Sequence, residues 1–304
     1  MISSTKPQGI TEEDIRWVAK TLNLPAQAFS AKQDHGARDR VLKSIDETLD
    51  ISACPGSGKT TLLVAKLALL ARKWPHKRKG ICVLSHTNVA KNEIKNKLGG
   101  TEVGQALLSY PHYIGTIHGF VNEFLALPWL RSKGIPINTV DTNYAHSWRW
   151  NALPDWLIEK AENAHVSKSS LTVVTPDYSI GDVKWSKGTL GKDKKSYKLM
   201  TNACKRSIED EGIHTFDEMF MWAQDFIGAN NLVTTYIRER FPVLFLDEVQ
   251  DNSELQSSML HKIFMDGSLP VCRMRFGDID QAIFNHAGES EIVQTDCFPS
   301  KKTG

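Results

Sequence analysis

The sequence offers little that would staple or anchor a chain. Its five cysteines, Cys54, Cys82, Cys204, Cys272 and Cys297, lie far apart and form no C-x-x-C pair. That spacing argues against a zinc or iron–sulfur site and fits thiols kept reduced inside a cell. No apolar run approaches the length needed to cross a bilayer; the nearest, Thr61 to Leu70, already contains Lys66. Glu12, Glu13, Asp14 and Arg16 arrive too early for a secretory leader. A cytoplasmic location and no membrane partner are therefore expected. Neither sign of charge dominates: 37 Lys and Arg against 35 Asp and Glu give a net charge of +2, so any surface for nucleic acid must be local. Internal repeats and low-complexity segments are also missing. What remains is 304 residues, 41% hydrophobic and 24% charged, which suits about two soluble domains with a real core.

The pattern along the chain alternates between strand and helix. Thr11 followed by Glu12, Glu13 and Asp14 reads as an N-cap with first-turn acids, opening a helix that turns Ile15, Trp17, Val18 and Leu22 inward. A second helix is expected over 37–45. Short buried strands are expected at 49–52, 81–84, 113–117, 242–246 and 271–276, with helices after residues 61 and 88. This alternation predicts an α/β fold, a parallel sheet with helices on both faces. Between about 121 and 213 the grammar changes. Trp129, Trp148, Trp150, Trp156 and Trp185 crowd in, followed by a basic, Gly-punctuated stretch from Lys184 to Arg206. This segment reads as a separate, mostly α-helical insertion whose tryptophans are mostly core. The flanking domain would then comprise 1–120 and 214–304.

Residues 53–61, Ala53-Cys54-Pro55-Gly56-Ser57-Gly58-Lys59-Thr60-Thr61, carry the strongest chemical signal. Gly56 and Gly58 let the backbone curl so that successive N–H groups point inward. Lys59 can reach outer phosphates, Thr60 offers a hydroxyl to Mg²⁺, and the helix that follows turns its N-terminal dipole toward an anion. A strand before the loop and a helix after it supply the context a P-loop requires. The strict pattern places Gly at position 53, where this chain has Ala53.

A second piece completes the site. Leu244-Phe245-Leu246-Asp247-Glu248 is an apolar strand ending in two carboxylates. In P-loop enzymes such a strand lies beside the P-loop strand; its first acid holds Mg²⁺ and its second orients and deprotonates the attacking water. Adjacent strand residues point to opposite faces, so separate roles for Asp247 and Glu248 are geometrically natural. Farther on, Gly277-Asp278-Ile279-Asp280-Gln281 places a Gln just past a strand end, within reach of a terminal phosphate.

Six blocks in order resemble the superfamily 1A DNA helicases of the UvrD, Rep and PcrA type: ACPGSGKT at 53–60, SHTNVAKNEI at 85–94, GTIHGF at 115–120, TFDEM at 215–219, LDEVQD at 246–251 and GDIDQAIF at 277–284. The resemblance covers the family's first RecA-like domain and its inserted subdomain. It implies ATP and Mg²⁺ as ligands and single-stranded DNA, or DNA with a single-stranded tail, as partner. The residues of the P-loop would surround the phosphates, Lys59 and Thr60 holding phosphate and Mg²⁺. Asp247 would bind Mg²⁺, Glu248 would be the general base, and Gln250 and Gln281 would sense the γ-phosphate. His86, Thr87 and Asn88, with Thr116 and His118, would contact DNA. Phe284 and His286 fall where the family stacks rings on bases, and Phe284 also reads as a core aromatic.

The departures from the family are specific. His86 stands where the family has Phe, Val89 where it has Lys, His286 where it has an aromatic platform, and Ala287 where it has Arg. The adenine-contacting Gln has no single match: at the family spacing stands Arg38, while Gln33 requires a longer connection. With Tyr110-Pro111-His112-Tyr113 leading into GTIHGF, the combination is similar to the helicase subunit of Gabija-type anti-phage systems, which implies a nuclease partner. The family continues into a second RecA-like domain whose arginines reach the γ-phosphate. No Arg follows Arg275 here, so the chain by itself is expected to turn ATP over slowly. A second function stays open: a nucleotide-gated DNA-binding or scaffold subunit that docks through the basic, Trp-rich insertion.

Overall fold

The computed structural model describes residues 9–29, 36–54, 56–186, 188–278 and 298–299. The chain divides into two compact units, one of residues 1–117 and 232–304, the other of residues 118–231. The boundary expected at 213–214 falls inside the second unit.

In chain order the first unit opens with α1 (Glu12–Thr21), α2 (Ala37–Lys43), β1 (Leu49–Ser52), α3 (Lys59–Arg72), β2 (Ile81–Ser85), α4 (Val89–Leu98), α5 (Glu102–Leu107) and β3 (Tyr113–Thr116). The second unit follows with α6 (Ile117–Val121), α7 (Leu127–Ser132), β4 (Thr139–Val140), α8 (Thr142–Asn151), α9 (Asp155–Asn163), β5 (Lys184–Trp185), β6 (Gly188–Thr189), α10 (Lys195–Glu209), β7 (Ile213–His214) and α11 (Phe216–Ala229). The first unit closes with α12 (Leu232–Arg240), β8 (Val243–Asp247), α13 (Glu254–Phe264) and β9 (Cys272–Gly277).

Among the described residues of the first unit, five strands form one sheet in the order β1-β9-β8-β2-β3, and every pairing is parallel. All residues of β2 and β8 are buried, which requires cover on both faces. One face packs Val83, Phe245, Met274 and Phe276 against α1, α3, α4 and α5. Helix α3 is buried from Leu62 to Leu70 and touches α1, α2, α4 and α5, which is why its sequence is apolar nearly all round. Helices α12 and α13 pack on each other and bring Val233, Ile237, Leu260, Ile263 and Phe264 to the other side. The parallel RecA-like sheet with helices on both faces is as expected.

The sheet order corrects one expectation. The strand of the acidic pair, β8, does not lie beside the P-loop strand, because β9 runs between them. An ion pair ties β9 to β1: Arg275 and Asp50 are register partners. Arg275 donates from Nε at 2.7 Å and from Nη2 at 2.6 Å to the two carboxylate oxygens of Asp50. An arginine in a central strand finds its counterion on the edge strand and is only 1% exposed.

Local signals account for the helix starts. Thr11 and Asp14 form a capping box on α1, Thr11 N–H donating to Asp14 at 2.8 Å and Asp14 N–H to Thr11 Oγ1 at 3.3 Å. Helix α2 stops at Lys43 rather than 45, since Ser44 turns extended.

The second unit is mostly helical and is organised around one buried ion pair. Arg149 of α8 and Glu218 of α11 are both fully buried. Arg149 donates to Glu218 at 2.6 and 2.9 Å, to the carbonyls of Leu171 and Ile213, and to Ser207 Oγ. Glu218 also accepts from Val173 N–H and Thr215 N–H, each at 2.8 Å. Glu218 is thus the last member of the Thr215 capping box and the counterion of Arg149 at once. The TFDEM block reads as a helix start, and its Glu closes the core of the unit.

The tryptophans of this unit differ from expectation. Of the five named, only Trp150 is buried; Trp156 is 46% exposed, and the others are half-buried. Lysines cover their rings instead: Lys133 over Trp129 at 4.6 Å, Lys168 over Trp150 at 5.8 Å, Lys195 over Trp156 at 5.8 Å and Lys160 over Trp185 at 6.0 Å. A lysine stem shields apolar ring surface while its ammonium stays in water. The basic stretch folds as the β5–β6 hairpin and the amphipathic α10.

Replacing Glu218 by Leu leaves the buried Arg149 guanidinium without its counterion and the N–H groups of Val173 and Thr215 without an acceptor. It lowers the unfolding free energy by about 3–5 kcal/mol, measured as a fall in the urea midpoint at unchanged slope. Glu218→Gln keeps one acceptor oxygen and costs less.

Candidate nucleotide site

Parallel pairing puts the C-terminal ends of all five strands on one edge of the sheet, and the loops that leave this edge form the usual crevice of such folds. The P-loop follows β1, residues 86–88 follow β2, Thr116 ends β3, Glu248 follows β8 and Asp278 follows β9.

The P-loop is tied to the neighbouring strand at its base, Ala53 N–H donating to Gly277 O at 3.1 Å. Its turn is closed by Ser57 N–H on Cys54 O at 3.2 Å. Gly56 and Gly58 have φ of 74° and 90°, a region that side chains disfavour. Ser57 Oγ is buried with no hydrogen-bond partner among the described residues. Left-handed glycines and an orphaned hydroxyl fit a loop shaped around an oxygen-rich ligand. Lys59 is the first residue of α3 and is 8% exposed, with Thr60 and Thr61 beside it in the first turn.

The acidic pair stands opposite. Asp247 is the last residue of β8 and is buried. Burial, and then the neighbouring charge of Glu248, push its carboxyl up to about 6, against the pull of Glu248 N–H and Lys59. Glu248 has left the strand: it adopts φ 51°, ψ 51°, left-handed backbone costly for a residue with a side chain. The two carboxylates diverge through this turn, not through strand alternation. Glu248 Oε2 lies 3.7 Å from Lys59 Nζ and accepts from Gln250 Nε2 at 2.6 Å. Gln250 Oε1 accepts from Asp278 N–H at 3.1 Å. Gln250 therefore joins the ends of β8 and β9 and orients Glu248. The same packing requires Gly277, where a Cβ would meet Gln250 Oε1 at 2.9 Å and the Phe298 ring at 2.7 Å.

Two cavities flank the loop. One of about 340 Å³ is lined by Gly56, Gly58, Lys59, Thr60, Thr61, Glu93, Lys97 and Glu248. Glu93 and Lys97 of α4 escaped sequence reasoning. They pair at 3.1 Å, and Lys97 Nζ donates to Thr61 Oγ1 at 3.0 Å. Their four-residue spacing on one helix was the available signal. The other cavity, about 310 Å³, lies behind the loop among Ala37, Arg38, Val41, Ile51, Ser52, Ala53, Cys54 and Leu62. Arg38 donates to Ser57 O at 3.1 Å from its wall.

The candidate DNA residues divide between the units. His86, Thr87 and Asn88 are exposed at the end of β2. Thr116 stands in register opposite Ser85, beside them. His118 belongs to the second unit, where the rings of Phe216 and Phe220 meet it edge-on at 5.6 and 5.0 Å. Gln33, Pro55, Gln281, Phe284 and His286 lie outside the described residues.

Comparison with known proteins gives the family. The model of the UvrD/REP helicase N-terminal domain matches residues 35–294. The mitochondrial ATP-dependent DNA helicase HMI1 of Saccharomyces cerevisiae is 26% identical over 263 residues, 82% of this chain and 33% of that protein. Gabija protein GajB of Bacillus cereus (strain HuB5-5) is 22% identical over 320 residues, 86% of this chain and 45% of that protein. DNA helicase II of Salmonella typhimurium is 21% identical over 281 residues, 83% of this chain and 35% of that protein. The chain spans less than half the length of these relatives.

A metal ion held by Asp247 would compete with a proton for its carboxylate. Because its proton is held up to about pH 6, apparent Mg²⁺ affinity in the presence of nucleotide weakens as pH falls through that value, by up to about tenfold per unit. Above it the affinity levels off. Mg²⁺ titrations of a bound fluorescent nucleotide at several pH values measure the effect, and Asp247→Asn both weakens Mg²⁺ and flattens the pH dependence.

Proposed function

The chain belongs to the UvrD/REP helicase family, and on that premise we propose that its first unit binds Mg-ATP and hydrolyses it to drive movement along single-stranded DNA. The observation that carries this reading is the cluster of Lys59, Glu248 and Gln250 across the mouth of the P-loop. The inward N–H groups of residues 56–60 and the Lys59 ammonium would bind the phosphates. Thr60 and Asp247 would hold Mg²⁺, whose charge offsets that of the terminal phosphates. Glu248, pointed into the site by its left-handed backbone and by Gln250, accepts the proton of the attacking water. Gln281 would report the γ-phosphate. His86, Thr87, Asn88 and Thr116 would grip the DNA backbone at the same edge of the sheet, and His118, Phe284 and His286 would also contact DNA. Gln33 or Arg38 would meet the base.

A second reading draws on the GajB relatives and on the lysine-covered rings of the second unit. Here the chain is a nucleotide-gated DNA-binding or scaffold subunit of a nuclease–helicase complex. Contact with single-stranded DNA phosphates loses affinity steeply with salt, with a log–log slope of about −0.7 per phosphate. Docking to a nuclease survives moderate salt.

ATP turnover with and without single-stranded DNA decides between hydrolysis and binding alone. Glu248→Gln lowers turnover by about 10²–10⁴ while nucleotide still binds, as expected on removing a general base. Lys59→Ala abolishes it. Turnover unchanged by Lys59→Ala would refute the assignment.

A further inference from the structure

One buried cation takes no part in the site described above. Lys66 lies on α3 about two turns beyond Lys59, and its side chain is fully buried. Its ammonium donates to Leu42 O at 2.8 Å and to Ser44 O. These carbonyls belong to the C-terminal end of α2, where a helix leaves C=O groups unsatisfied and its dipole is negative. Burial draws the Lys66 pKa down to about 8, against the pull of Cys272 and Glu47, so the group is still mostly a cation at neutral pH. The pocket around it also holds Cys272, whose Sγ donates to Ile45 O at 3.4 Å and Glu47 O at 3.2 Å. The segment just after α2 is therefore held from two sides, by a buried ammonium and a half-buried thiol.

The other end of α2 reaches the P-loop. Arg38 donates to Ser57 O at 3.1 Å and to Ala28 O at 3.5 Å. Ala37, Arg38 and Val41 form one wall of the cavity behind the loop, facing Ile51 and Leu62. A helix of seven residues, Ala37–Lys43, cannot hold its place by propensity, because helices this short are stable only through what they pack on. Its N-cap Gly36 supplies no side-chain bond, either. At its C-terminal end the buried polar grip comes from Lys66, beside the exposed pair that Lys43 makes with Glu12 of α1.

We propose that Lys66 is a positioning residue of the nucleotide site. By gripping the end of α2 it sets Arg38 and the α2 wall against the P-loop, and so governs affinity for the nucleoside part of the ligand rather than for its phosphates. The phosphates are served by the loop N–H groups, Lys59 and Thr60, none of which α2 supplies. This inference rests on the nucleotide reading given above.

Calorimetric titration of the full chain with Mg-ATP and with Mg-tripolyphosphate, which lacks the nucleoside, separates the two. Lys66→Met weakens Mg-ATP about tenfold, roughly the loss of one well-made hydrogen bond, and leaves tripolyphosphate unchanged. Lys66→Arg, which keeps a donor near the same carbonyls, stays closer to the original chain. Arg38→Met gives the same selective loss from the other end of α2, and if Lys66→Met does not fold, Lys66→Gln, which keeps one donor without the charge, decides the matter. Equal weakening of both ligands, or of neither, in the folded variants overturns the proposal. If the unsubstituted chain binds neither ligand, the nucleotide reading itself is what fails.

Discussion

The paired oxygens of Asp50 and the guanidinium of Arg275 hold the two strands on which the site is built. The pair is nearly removed from water, so its partners are costly to separate, and its forked geometry accepts one register only. That register sets Ser52 beside Gly277, and Gly277 O then takes the Ala53 N–H at the root of the P-loop. From the same strand end, Asp278 N–H reaches Gln250, and Gln250 reaches Glu248. A continuous line of bonds thus runs from the edge strand, through β9, to the carboxylate that faces Lys59. A slip by one residue would turn the strand over and break every link at once.

Much of this was legible in the sequence, for identifiable reasons. Strands buried on both faces read as unbroken apolar runs, so Ile81–Ser85 and Val243–Asp247 stood out. The P-loop was legible because its glycines and Lys59 serve a local geometry. The order of strands was not, since nothing local tells β8 whether its neighbour is β1 or β9. Arg273 and Arg275 even argue against a central strand until Asp50 is seen across the sheet. Glu248 was placed on the right element's end with the wrong backbone: alternation is a rule for strands, and the residue has already turned out of one.

The second unit was the less legible half because its cohesion is polar and its rings are partly wet. Composition suggests that five tryptophans make a core. The core is instead organised by Arg149 and Glu218, residues that composition assigns to the surface. The capping-box spacing of Thr215 and Glu218 was readable. That the same carboxylate also neutralises an arginine 69 residues away was not, because long-range pairing leaves no local mark.

The placement of the 118–231 unit has a consequence for how the chain is made. It is inserted between β3 and β8, so a ribosome releases β1, β2 and β3 first, then more than a hundred residues that add nothing to the sheet. The last two described strands, β8 and β9, belong in its middle. Until they emerge, β1 has no partner and β2 has one bare edge, with donors and acceptors open to any passing strand. During the synthesis of residues 117 to 243 those open strand edges are therefore exposed to aggregation.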